Sequence, residues 1–141
     1  MTFRALFFAP LALVLAMPAA AQVVETGKAD WDRLPPARIK GDLDYQKLSR
    51  WAEQVVESKA CRDAGWRPER FRVDEPFAVL LEPDGTVKRI VIAETSCPGI
   101  DYVVGLHLQA LSEAHRFRPT GTAAARWYGG RVVFEVSPQA Q

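Results

Sequence analysis

The chain has 141 residues, 48% hydrophobic, 25% charged and 10% aromatic. That composition suits one folded domain and excludes a disordered chain, a coiled coil, a collagen-like chain and a polytopic membrane protein. The formal net charge is +1, and without Arg4 it falls to zero, so no strong overall field draws in nucleic acid or anionic lipid.

Residues Met1–Ala21 hold the parts of a secretory signal peptide. Arg4 is the basic n-region, Ala5–Met17 the apolar stretch, and Ala19-Ala20-Ala21 the small-residue site before Gln22. A retained anchor is the competing reading. The 17 residues Ala5–Ala21 are short for a bilayer span and contain Pro10 and Pro18. The expectation is cleavage near Ala21 and a periplasmic address. Residues 22–41 show no sustained period and contain Gly27, Pro35 and Pro36. They read as a mobile or loosely packed lead-in.

A single domain is expected over residues 42–137. Asp42–Lys59 predicts a helix, capped by Asp42 or Asp44 and striped by Tyr45, Leu48, Ala52, Val55 and Val56. Gly65 is placed to end this segment in a left-handed conformation. Phe71, Val73, Phe77, Val79 and Leu81 then alternate as a half-buried strand, with Pro76 confined to a start, an edge or a bulge. Pro83-Asp84-Gly85 turns the chain into a second strand over Thr86–Glu94. Val87 is out of phase with Ile90 and Ile92, which predicts a bulge near Lys88-Arg89. Asp74-Glu75 reads as a strand exit.

Asp101 is a candidate N-cap for a second helix ending near His115, with Ile100, Val104, Leu108 and Leu111 as its buried stripe. Gly121, Gly129 and Gly130 read as loop punctuation. Val132, Phe134 and Val136 alternate with Arg131, Val133 and Glu135 in a last strand. The expected fold class is α+β, with an antiparallel three-stranded sheet (β-hairpin, helix, final strand) and two helices on one face. Leu108, Leu111, Phe77, Val79, Ile92 and Phe134 are expected in one core.

Cys61 and Cys97 are the only cysteines. In an exported chain such a pair is expected to form a disulfide. Their spacing with His107 and His115 matches no standard zinc pattern, and no C-x-x-C marks a redox site.

Asp84-Gly85-Thr86-Val87 with Ile90 and Ile92, then Ser96-Cys97-Pro98-Gly99, Asp101, Ala110-Leu111, Arg116-Phe117-Arg118-Pro119 and Gly130 before Val132–Val136 resemble the C-terminal domain of TonB-family proteins. The resemblance covers Phe77–Val136, about half of the mature chain. It implies a periplasmic binding domain with no catalytic role, whose last strand meets an extended peptide by strand addition. Carried over, the interacting residues are Arg131, Val132, Val133, Phe134, Glu135 and Val136. Trp127 and Tyr128 either anchor the partner or cap the core. The implied partner is an envelope protein or peptide, including an outer-membrane receptor, or a second copy of the chain. A chain with a cleaved leader and a 20-residue lead-in cannot carry force across the envelope as the family's transducers do; a retained leader would restore that alternative. An enzyme of unknown class is the third reading. No serine-hydrolase elbow or phosphate loop supports it, and no cofactor, metal or small-molecule substrate is expected. The basic cluster Arg67, Arg70 and Arg72 near Trp66 reads as a solvated strand face, with a site for an anionic partner as the alternative.

Overall fold

The structure is a computed structural model describing residues 24–121 and 124–136. In chain order it contains strand β1 (Val24–Thr26), a 3-10 turn (Trp31–Arg33), β2 (Arg38–Ile39), helix α1 (Tyr45–Val56), α2 (Lys59–Asp63), β3 (Phe71–Leu81), β4 (Val87–Ile92), α3 (Pro98–Glu113), β5 (Phe117–Arg118) and β6 (Arg126–Val136). The expected leader Met1–Ala21, its expected junction at Gln22 and the chain from residue 137 lie outside the described residues.

The β3–β4 hairpin forms as its alternation requires. Gly85, at φ +90°, closes the turn, and Thr86 N–H donates to Asp84 Oδ1 at 2.8 Å. Leu80 faces Arg89 but Leu81 faces Val87, so Lys88 is the extra residue of a bulge. The bulge returns Val87, Ile90 and Ile92 to the buried face. Pro76 lies within β3, one residue before the stretch paired to β4 begins at Phe77. The ladder to β4 therefore needs no N–H from it.

The sheet has four strands, in the order β1-β4-β3-β6, not the expected three. β1 runs parallel to β4, and β2 with β5 makes a separate antiparallel pair. The expected lead-in is thus part of the fold from Val24 onward. It pairs along β4, crosses the back of the sheet through the Trp31–Arg33 turn, and reaches β6, where Pro36 bridges Gly129. Its sequence hides this because β1 and β2 are too short to show a period.

α1 and α3 cover the other face. Asp44 caps α1 by accepting the Lys47 N–H at 2.9 Å. Ser58 caps the short α2, and Gly65 follows it at φ +93°. α3 starts one turn earlier than its sequence suggested, with Pro98 in the first turn. Asp101 is therefore not its cap. Its carboxylate instead accepts the Thr95 N–H at 2.9 Å and lies 2.6 Å from the Thr95 hydroxyl. His115, at φ 50°, ends the helix: its N–H reaches Ser112 O and that of Arg116 reaches Leu111 O, both at 2.9 Å.

Leu108, Leu111, Phe77, Val79, Ile92 and Phe134 share one buried cluster, as expected. Cys61 and Cys97 are fully buried and disulfide-bonded, joining α2 to the start of α3. Gly129 and Gly130 lie inside β6, not in a loop. A Cβ on Gly130 would sit 2.5 Å from Phe77 Cζ, and one on Gly129 2.9 Å from Leu34 Cβ. Both faces of β6 are packed so closely there that only glycine fits.

Candidate functional site

β6 pairs with β3 along its whole length, from Arg126 with Leu81 to Val136 with Phe71. Its other edge is covered at one place. Gly129 N–H donates to Pro35 O at 2.8 Å, and Gly129 O accepts the Ala37 N–H at 2.7 Å. Both backbone groups of Gly129 therefore face away from β3. Backbone direction alternates along an antiparallel strand, and this pairing runs without a register shift. Arg131, Val133 and Glu135 thus present N–H and C=O on the outer edge. Among the described residues no strand pairs with them.

A groove of about 590 Å³ runs beside this edge. Val133–Val136 form one wall, and Tyr45, Gln46, Ser49, Arg50 and Glu53 of α1 form the other. Tyr45 is 38% exposed, which leaves an aromatic face at the groove. Arg50 and Glu53 supply one charge of each sign.

The eight residues expected at a partner site separate by face. Val132, Phe134 and Val136 point into the core, while Arg131, Val133 and Glu135 point outward. Arg131 donates to Asp74 Oδ1 at 2.5 Å, and Arg72 lies 3.8 Å from Glu135. Arg72 of the basic cluster is therefore partly ion-paired along the strand face. Tyr128 is fully buried and its hydroxyl accepts the Thr120 N–H at 3.2 Å, so its side chain caps the core. Trp127 is half-buried on the back of the sheet, where Leu34 and Ala78 line the same hollow. These two aromatics are removed from the outer edge.

Two titratable groups lie inside the fold. Glu75 does not mark a strand exit: it sits mid-strand, 1% exposed, and neither carboxylate oxygen has a hydrogen-bond partner. Burial, with the Asp101 carboxylate adding to it, pushes its pKa up to about 8. The sequence did carry the signal, since Glu75 falls on the apolar phase between Val73 and Phe77. The imidazole of His107 has a buried Nε2 with no partner. Burial lowers its pKa, Arg116 lowers it further, and Asp44 opposes them. Among the described residues no cluster of three His, Cys, Asp or Glu is placed to hold a metal ion, and no helix is long and apolar enough to cross a membrane.

No family model matches this chain, and neither does any curated protein or solved structure.

Proposed function

We propose that this protein is an exported binding module of the cell envelope that takes up an extended peptide, or an extended segment of an envelope protein, along β6. The observation that carries this reading is the outward backbone of Arg131, Val133 and Glu135 beside the α1 groove. Unpaired strand edges either recruit another strand or are covered. Here the chain itself covers Ile90–Ile92 of β4 with β1 and covers Gly129 with residues 35–37, yet stops short of Arg131. The segment at Pro36–Ala37 is already a short piece of strand addition, and a bound peptide would continue that pairing. Alternate peptide side chains would enter the groove against Tyr45 and between Arg50 and Glu53. The resemblance to TonB C-terminal domains supports the same strand, and the leader-like start supports a periplasmic setting. On this reading the protein binds and does no chemistry.

Val133→Pro and Glu135→Pro test it. Both positions direct their N–H outward, so proline removes a bond to the partner and none to β3. Both variants should keep the wild-type circular dichroism spectrum and melt near wild type. Each should lose association with the partner captured by in-cell crosslinking from Val133, or with a second copy in sedimentation. Val132→Pro, whose N–H faces β3, should melt well below wild type. Folded variants at 133 and 135 that bind with unchanged affinity would remove the β6 edge from consideration.

A further inference from the structure

The β2–β5 ribbon shares no residue with the β6 groove. It pairs Arg38 with Arg118 and Ile39 with Phe117, and Lys40 N–H extends it by donating to Arg116 O at 2.8 Å. Side chains alternate across such a ribbon. Ile39 and Phe117 turn inward, the first half-buried and the second fully buried. Every position on the opposite face is basic: Arg38, Lys40, Arg116 and Arg118. Arg38, Lys40 and Arg118 are exposed, and Arg116 is half-buried. Among the described residues none of the four joins an ion pair.

Two of these guanidinium groups are held in place. Arg116 donates from Nε to Lys40 O and from Nη2 to Asp42 O, both at 2.6 Å. A Cβ on Gly41 would sit 2.8 Å from its Nη2, so the backbone is shaped around this group. Arg118 Nη1 donates to His115 O at 2.7 Å and to Phe117 O at 3.0 Å. Carbonyl oxygens fix these cations without neutralising them, and each keeps N–H groups free for an acceptor. Like charges directly opposite on paired strands are destabilising. A ribbon that keeps four of them, none ion-paired among the described residues, is arranged for an anion from outside.

We propose that this quartet docks the protein on an anionic phospholipid surface. The four side chains leave the ribbon from a two-by-two array of Cβ positions, about 5 Å across the strands and about 7 Å along them. Such an array fits headgroup phosphates spread over a plane, whereas an extended acidic peptide offers its carboxylates in a line. The arginine forks suit phosphate oxygens, which they bind two at a time. The balanced net charge does not oppose this, because screening confines the attraction to charges within about 8–10 Å of the surface. Each basic side chain there strengthens binding roughly five-fold.

The test uses the protein as the cell produces it, sedimented with phosphatidylcholine vesicles and with the same vesicles containing phosphatidylglycerol. Binding should be confined to the anionic vesicles and should weaken as salt is raised. Arg38→Gln/Arg118→Gln should lower the partition coefficient roughly 25-fold. Its circular dichroism spectrum should match wild type, which separates lost binding from lost folding. Arg62→Gln/Arg70→Gln removes the same charge from another exposed site and should bind like wild type. Equal binding to neutral vesicles would overturn the proposal. So would unchanged binding of the ribbon variant or equal loss in the control. Binding to soluble polyglutamate with the same arginine dependence, without vesicle binding, would overturn it in favour of an acidic protein partner.

Discussion

At Glu75 one side chain sets a pH dependence for the whole fold. Its carboxyl titrates near pH 8 when folded, against an ordinary value of 4.5. Between these values the folded chain holds a proton that the unfolded chain has released. Stability from this residue is therefore full below about pH 4.5, falls by about 1.4 kcal/mol per pH unit, and is gone above about pH 8. Glu75→Gln keeps the shape and removes the charge. It should gain stability over wild type as pH rises from 5 to 8, with little difference at pH 4, in urea titrations. An equal difference at every pH would mean that the carboxyl is not held neutral. His107 acts in the opposite sense, since its lowered pKa weakens the fold as pH falls below its ordinary 6.5. Gly130 is a second residue-scale control. Gly130→Ala drives a methyl into the Phe77 ring and should cost about 1–3 kcal/mol. An unchanged denaturation midpoint would show that the ring is free to move aside.

Among the elements, β6 has a packed face and an open edge that its register separates. Even-numbered residues from Tyr128 to Val136 face the core and direct their N–H groups to β3; odd-numbered residues turn outward in both respects. A one-residue slip would exchange the two sets, so the packed face fixes which backbone groups remain for a partner. That is why the proline variants at 133 and 135 can separate binding from folding. The bulge at Lys88 serves β4 in a similar way. It discards one residue from the ladder and brings Val87 onto the same face as Ile90, where both are buried.

For the whole molecule, two long-range ties hold the layers together. The Cys61–Cys97 bond closes a loop of 36 residues between the two helical segments. Reduction should destabilise the protein by about 3–4 kcal/mol in the chain-entropy account. Non-reducing mass spectrometry should find no alkylatable thiol, and chemical denaturation with and without reductant should show the difference. The second tie is the strap of residues 24–37, which passes from β4 across the back of the sheet to β6. It covers part of each sheet edge: Ile90–Ile92 of β4 and Gly129 of β6. The uncovered part of β6 is the proposed binding edge.

The sequence by itself determined the elements whose period is long enough to read. α1, the β3–β4 hairpin with its bulge, the body of α3 and the alternation of β6 all follow from apolar spacing. The cysteine pair follows from an even count in a chain with a leader-like start. These are local properties, written within a few turns or a few strand residues. Tertiary structure decided the rest. The parallel pairing of β1 and the strap rest on contacts of Val24–Thr26 and Pro36, residues distant in sequence from their partners. The two glycines of β6 read as a loop until Phe77 and Leu34 are seen packed against them. Glu75 stood on the apolar phase of its strand, but a carboxyl there is costly to bury, so an exit was the natural reading. Which backbone groups of β6 face outward depended on Gly129 bonding to residues 35–37. Arg38 and Lys40 lie far along the chain from Arg118 and Arg116, 76 residues for Lys40 and Arg116, and only folding sets the four side by side on the β2–β5 ribbon.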